Sequence, residues 1–258
     1  MQRSQPFIRS ATGILMWAFI ALDTLMAFLL IAITAPFDQN QRLTYHIANL
    51  WGELIVKIKP FWKVKISCRR QIQRNKAYVL VANHSSLADI VCLYCLKTNF
   101  KWLAKKSLFK IPFFGWAMSL LNYIPLERGK HGSIRDSFSK AEEWLNKNVS
   151  VLIFPEGTRS RSGALGEFKS GAFKLALRTK KPILPIVIYG THDAMSPGKA
   201  TMETKVTTLV KVLPEIAVDA YQEDESESLK TKVWNLMSEE LTCVPGGRSQ
   251  MSARPYGT

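Results

Sequence analysis

His84 and Asp89 stand five residues apart in a stretch almost empty of other acids. Between Leu54 and Leu126 the chain carries thirteen lysines or arginines and one carboxylate, that of Asp89. A carboxylate bonded to one imidazole nitrogen selects the tautomer that leaves the other nitrogen free as a base. The spacing restricts how the two can meet. Along a continuous helix the neighbours are three and four residues apart, so a pair five apart diverges. The pairing therefore requires His84 in a turn and Asp89 in the first turns of a following helix, with Ser85 or Ser86 as its N-cap. Taken alone, such a pair is more often a structural hydrogen bond than a catalytic one.

A second constellation lies downstream, Phe154-Pro155-Glu156-Gly157-Thr158-Arg159-Ser160-Arg161, directly after an apolar run. Gly157 permits tight backbone geometry. Arg159 offers the planar fork that matches a phosphate, and Thr158 and Ser160 add hydroxyls. Glu156 is placed to orient an arginine or a substrate hydroxyl. A third run, Tyr123–Arg128, ends with another arginine, and a fourth, Pro182–Val187, opens with two prolines. Each run alone reads as an ordinary solvated loop.

The elements that must hold these residues are legible from patterning. Short apolar runs at 77–82, 102–104, 123–126, 151–154 and 183–189 read as strands, as does the alternating segment 204–213. Helical spacing marks 86–96, 133–146, 168–178 and 226–241. Strands alternating with helices predict an α/β domain with a mixed sheet flanked by helices.

Ahead of this body, residues 11–37 are almost continuously apolar, with Asp23 their one charge. The run is long enough to span a bilayer, which takes ~20 residues. An interfacial helix would instead let Asp23 reach water. The segment 43–58 repeats apolar residues at helical spacing between Pro36 and Pro60. A basic block follows, from Lys57 to Lys76, with Trp51, Phe61 and Trp62 near its start. Aromatics beside cations are the composition of a lipid-headgroup surface. The expected organisation is a two-helix membrane-attachment element over 1–60, an α/β domain over 61–245 and a loose tail over 246–258.

Taken together and in this order, the four runs resemble the glycerophospholipid acyltransferase family. Asn83-His84-Ser85-Ser86-Leu87-Ala88-Asp89 is similar to its NHxxxxD block, and Phe154–Arg159 matches its FPEGTR block residue for residue. Ile124–Arg128 resembles the second block, with Glu127 before the arginine, and Pro182–Pro185 the fourth. The resemblance covers roughly residues 77–200, and its first and third blocks are highly specific. It implies acyl transfer from acyl-CoA or acyl carrier protein to a glycerolipid hydroxyl, with lysophosphatidic acid as the first-choice acceptor. His84 would take the hydroxyl proton and Asp89 would hold His84. Arg128, Glu156, Gly157, Thr158 and Arg159 would bind the acceptor. Lys105 joins them as a phosphate ligand, with Lys106 its rival. No metal or cofactor is implied beyond the acyl donor, and no acyl-enzyme is required. The oxyanion has candidate donors in the backbone near Ser85 and in the Glu156–Thr158 turn. The aromatic run Leu108–Trp116 would supply an acyl slot, core packing or a membrane-dipping loop.

The formal net charge of +15 calls for an anionic partner. The apolar N-terminus favours an anionic bilayer over nucleic acid. Cys92 and Cys95 form a lone CxxC with no second pair to complete a zinc site, and read as core residues of one helix. A serine hydrolase using Ser85 or Ser160 lacks its GxSxG elbow. A non-catalytic lipid-binding protein is the remaining rival. The expected location is the cytoplasmic face of a membrane, such as a bacterial inner membrane, attached from one side rather than spanning.

Overall fold

A computed structural model describes residues 5–57, 62–73, 75–194 and 206–243. The expected tail over 246–258 lies outside the described residues, as do Lys59, Pro60, Phe61 and Arg74 of the basic block and its border.

The body is a seven-stranded sheet in the order β1-β7-β6-β2-β5-β3-β4. Five strands run parallel: β2 (Val79–Ala82), β3 (Phe100–Lys105), β4 (Ile124–Leu126), β5 (Ser150–Ile153) and β6 (Ile183–Tyr189). β7 (Val206–Val212) pairs antiparallel with β6, and β1 (Trp62–Ser67) pairs parallel with β7. The sheet is therefore mixed, as expected from the sequence. β2, β5 and β6 are buried at every position. Covered on both faces, they read as continuous apolar runs rather than alternating ones. Pro185 sits in β6, yet the pairing with β7 begins only at Ile186, so its missing N–H breaks no bond to that strand.

Successive residues of β2 feed two cores. Leu80 and Ala82 pack with α2 (Arg42–Lys57), α3 (Ala88–Tyr94) and α4 (Phe114–Leu120). Val79 and Val81 pack with α5 (His131–Asn146), α6 (Gly171–Thr179) and α8 (Ser226–Cys243). A further single turn, α7 (Thr191–Ala194), follows β6. The domain thus has helices on both faces of the sheet.

Two elements differ from the sequence reading. The middle of the basic block, where no strand was expected, is the edge strand β1, with Trp62 buried, Val64 and Ile66 half-buried, and Lys63 and Lys65 exposed. Its period-two alternation was masked by the cations, which are common on edge strands because they block further pairing. The helix α4 occupies the end of the aromatic run, where no helix was expected.

α1 (Gln5–Thr34) packs on α2 and α4, and its segment Gly13–Thr34 is long and apolar enough to cross a membrane. Its outer face exposes Ile14, Leu15, Leu22, Met26 and Ile33. Asp23 does not share that face: its Oδ2 is buried without a hydrogen-bond partner among the described residues. Phe28 packs its ring at a tilt against Phe113 and Trp116, whose rings are themselves part-exposed, so the aromatic run continues the apolar surface of α1. The connection between α1 and α2 is tied to the body by Lys101, a fully buried lysine on β3. Its ammonium donates to Gln41 Oε1 and to the Leu121 carbonyl, and lies 4.8 Å over the Trp144 ring. Burial pulls its pKa down to about 7.

Candidate active site

Four parallel strands end on one edge of the sheet, and each delivers a residue singled out from the sequence. Asn83 and His84 follow β2, Lys105 closes β3, Arg128 follows β4, and the turn from Phe154 to Arg159 follows β5. Loops at the carboxyl ends of neighbouring parallel strands converge on a crevice, which is where open α/β sheets hold their ligands. Here the crevice is a cleft of about 1130 Å³, lined by His84, Lys105, Arg128, Gly157, Thr158 and Arg159 among others.

His84 and Asp89 meet across a strand-to-helix turn. β2 ends at Ala82 and α3 begins at Ala88, so the two residues do not share a continuous helix. His84 Nδ1 lies 2.7 Å from Asp89 Oδ2. The same oxygen accepts the backbone N–H of Ser85 at 2.8 Å and of Ser86 at 2.9 Å. The helix starts later than expected, with Leu87 rather than Ser85 or Ser86 as its N-cap; Ser86 Oγ accepts the Ala88 N–H instead. Asp89 is fully buried. With Nδ1 held by a carboxylate, Nε2 is the nitrogen left for proton transfer.

The Phe154–Arg161 turn does more than face the ligand. The Phe154 ring stacks on the His84 imidazole at 4.1 Å between centroids. Glu156 Oε1 accepts the His84 N–H at 2.7 Å, and the Ser160 N–H donates to the His84 carbonyl at 2.8 Å. The histidine is therefore clamped at both its backbone groups and on its ring. The other Glu156 oxygen accepts the Gly166 N–H at 2.9 Å. Burial pushes the Glu156 carboxyl up to about 7, against the downward pull of these two backbone donors. Glu156 is buried behind the histidine and is not among the residues lining the cleft, so it differs from the acceptor ligand expected from the sequence. Both its oxygens are already engaged by backbone. Gly157 has φ +69°, the left-handed conformation that glycine accepts without strain.

Lys105 and Lys106 differ in position. Lys105 lines the cleft, whereas Lys106 pairs with Glu127 at 3.1 Å. Lys106 and Lys130 together hold the Glu127 carboxyl below its ordinary range.

Three contributors escaped the sequence reading. Lys169 lines the cleft, and its ammonium lies over Gly157, so close that a Cβ there would stand 3.2 Å from Nζ. The only sequence signal is a cation just ahead of a helix. Asn83 donates to the Ile188 carbonyl at 2.9 Å and accepts the Ile188 N–H at 2.8 Å, extending the β2–β6 pairing by a side chain up to His84. Phe154 marks the end of a strand in the sequence, and nothing there shows it as the platform for the imidazole.

Of the oxyanion donors considered, those near Ser85 are occupied, since the N–H groups of His84, Ser85 and Ser86 all serve carboxylates. The Gly157 N–H serves the Phe154 carbonyl. Among the described residues the hydroxyl of neither serine proposed for a hydrolase is bonded to the imidazole: Ser85 Oγ lies 3.1 Å from Thr191 Oγ1 in a buried contact, and Ser160 Oγ lies 3.4 Å from Ser162 Oγ.

Residues 63–189 match the family described as Acyltransferase. The chain is 31% identical over 243 residues to a 1-acyl-sn-glycerol-3-phosphate acyltransferase of Saccharomyces cerevisiae, covering 91% of this chain and 77% of that protein. The chain belongs to this acyltransferase family. The assignment agrees with the resemblance carried by the histidine and FPEGTR blocks. A chloroplastic 1-acyl-sn-glycerol-3-phosphate acyltransferase of Arabidopsis thaliana is 40% identical over 164 residues, 63% of this acyltransferase and 46% of the plant protein. The chain thus spans about half the length of the chloroplastic relatives it matches. The crystal structure of the 1-acyl-sn-glycerophosphate acyltransferase of Thermotoga maritima superposes with a TM-score of 0.77 at 25% identity, covering 92% of this chain and 98% of that one. Two-sided helical cover of a mixed sheet is therefore the fold of a solved acyltransferase.

Proposed function

We propose that this protein transfers a fatty acyl group from a thioester donor, acyl-CoA or acyl carrier protein, to the sn-2 hydroxyl of lysophosphatidic acid, giving phosphatidic acid. The observation that carries the reading is the 2.7 Å contact of His84 Nδ1 with a buried carboxylate, at the rim of a cleft ringed by cations. A hydroxyl is a poor nucleophile near neutral pH, and a positioned base contributes ~10²–10⁴-fold.

In this mechanism the acceptor hydroxyl attacks the thioester carbonyl while its proton passes to His84 Nε2. Asp89 stabilises the resulting imidazolium. The tetrahedral intermediate then collapses, the carbon–sulfur bond breaks, and the thiolate leaves with the proton that His84 returns. Lys105, Arg128, Arg159 and Lys169 hold the acceptor phosphate, a group of −1.5 to −2 charge near pH 7. For the developing oxyanion the turn offers the Glu156 and Thr158 N–H groups, neither of which has a protein acceptor among the described residues. The side chains of Glu156 and Asn83 position His84 and touch no substrate.

The apolar outer face of α1, continued by Phe113 and Trp116, would lie in the cytoplasmic leaflet, attached from one side. Its freedom from charge, with Asp23 turned inward, supports burial of that face in lipid.

The test is product formation by purified protein with a panel of lysolipid acceptors and both donor types, read by mass spectrometry. Phosphatidic acid from lysophosphatidic acid is expected. Acylation of only a non-phosphate acceptor would overturn the assignment.

A further inference from the structure

Segment 160–166 leads from the turn after β5 toward α6 and contains neither helix nor strand. It nevertheless grips His84 from both ends. Its first residue, Ser160, donates its N–H to the His84 carbonyl at 2.8 Å. Its last, Gly166, donates its N–H to Glu156 Oε2 at 2.9 Å, and the other oxygen of that carboxyl accepts the His84 N–H at 2.7 Å. A loop can hold a catalytic side chain in place only if the scaffold holds the loop. The far end of this one is held by α8: Trp234 Nε1 donates to the Gly166 carbonyl at 3.0 Å, across 68 residues of sequence.

The fit at Gly166 is close. A Cβ there would stand 2.8 Å from Glu156 Oε2, inside van der Waals contact. Glu156 has little freedom to yield, because it is buried and both its oxygens are engaged. Trp234 is buried in the core that α8 shares with the sheet, together with Leu165 and Phe168 on either side of Gly166. The loop is therefore packed as well as bonded. A buried indole N–H needs a hydrogen-bond acceptor, and here the acceptor is the loop that supports the histidine. α8 lies wholly beyond residues 63–189 that match the family, and none of the four sequence runs reaches it.

We propose that Trp234 and Gly166 are positioning residues for the catalytic base, acting through Glu156 on the backbone of His84. The indole fixes the Gly166 carbonyl, the Gly166 N–H fixes the Glu156 carboxyl, and that carboxyl fixes the His84 N–H. Asp89 and Phe154 act on the imidazole itself, so the relay sets where the ring stands and leaves its tautomer alone. Neither Trp234 nor Gly166 lines the cleft that holds His84. The proposal rests on the acyl-transfer reading, in which His84 is the base. A displacement of about 1 Å in a reacting group can cost ~10²-fold in rate, so a distant support is visible in kcat.

The test compares three variants with wild type. Trp234→Phe keeps an aromatic ring and removes the donor. Gly166→Ala puts a methyl group against Glu156 Oε2. Leu229→Val trims a fully buried side chain of the same helix and is the stability control. In steady-state acylation of lysophosphatidic acid, kcat should fall about tenfold in Trp234→Phe and about 100-fold in Gly166→Ala, with KM for both substrates within about twofold of wild type. Leu229→Val should lower the melting temperature at unchanged kcat. A loss of kcat in Leu229→Val as large as in Trp234→Phe, or an effect confined to KM, overturns the proposal. In a Glu156→Gln background Trp234→Phe should cost little more, because the relay is already broken; a full additional loss overturns it. Amide hydrogen exchange at His84, read by mass spectrometry, needs no turnover. Exchange should be faster in Trp234→Phe and Gly166→Ala than in Leu229→Val. Equal exchange in all three overturns the relay even where transfer is observed. Faster exchange in the first two, beside a wild type that forms no phosphatidic acid, upholds the relay and refutes the acyl-transfer reading alone.

Discussion

Asp89→Asn separates the charge of the carboxylate from its geometry. Three donors converge on Oδ2, namely His84 Nδ1 and the N–H groups of Ser85 and Ser86, while Oδ1 has no partner among the described residues. An asparagine must therefore turn its oxygen to the Oδ2 position and place its NH2 where Oδ1 was. The imidazole tautomer survives, and what is lost is the negative charge. Each of the three bonds falls from a charge-assisted to a neutral one, ~1 kcal/mol apiece and roughly 3 kcal/mol together. For a chain of this size that corresponds to a drop in Tm of roughly 6–12 °C. The kinetic effect is larger. An imidazolium and a carboxylate with charge centres ~4 Å apart interact by ~4 kcal/mol at an effective dielectric of ~20. Losing that stabilisation in the transition state lowers kcat by ~10²–10³-fold, with the lower end expected because the charge on His84 is only developing. The assay is steady-state acylation at saturating acceptor, beside a thermal melt. A folded Asp89→Asn enzyme with more than about a tenth of wild-type kcat would refute the role given to the carboxylate.

Other consequences follow from neighbouring contacts. Glu156→Gln can accept only one of the two backbone N–H groups that Glu156 now serves, leaving a buried donor unpaired at a cost of ~1–3 kcal/mol. It should lower kcat while KM for the acceptor stays nearly constant; a KM effect alone would return Glu156 to the acceptor site. Arg159→Ala or Lys169→Ala should raise KM for lysophosphatidic acid about tenfold each and flatten the preference for phosphate-bearing acceptors, measured on acceptors with and without the phosphate. Stability should pass through a minimum near pH 7. Between the ordinary value of 4.5 and about 7 the folded protein keeps a proton on Glu156 that the unfolded chain has released, so stability falls as pH rises. Between about 7 and 10.5 folded Lys101 has released a proton that the unfolded chain still holds, so stability rises. Melting temperatures across pH 5–10 should lose the falling limb in Glu156→Gln and the rising limb in Lys101→Met, and a wild-type profile lacking either limb would contradict the assignment behind it.

Strand–helix alternation was readable because the buried parallel strands β2, β5 and β6 leave uninterrupted apolar runs, and the amphipathic helices α5 and α8 leave a clear period. β1 was not, because Lys63 and Lys65 dominate a six-residue edge strand whose apolar face has three residues. The histidine and its carboxylate were readable from local spacing, since the turn joining them is only a few residues long. Contacts across the sheet were not. The grip of Glu156 on the His84 backbone spans 72 residues and that of Asn83 on Ile188 spans 105, and neither spacing leaves a mark in sequence. The resemblance alone gives Glu156 to the acceptor, whereas both its oxygens accept backbone N–H groups, those of His84 and Gly166. Lys169 was overlooked because its relation to Gly157 depends on how β5 hands over to α6.

The central claim is that His84 is the base. Its most direct test is the rate of phosphatidic acid formation by purified His84→Ala, measured by mass spectrometry with lysophosphatidic acid and an acyl thioester, beside a wild-type control and a thermal melt. A folded protein whose rate falls by at least ~10²-fold is expected. A folded His84→Ala protein that acylates lysophosphatidic acid at the wild-type rate would contradict it.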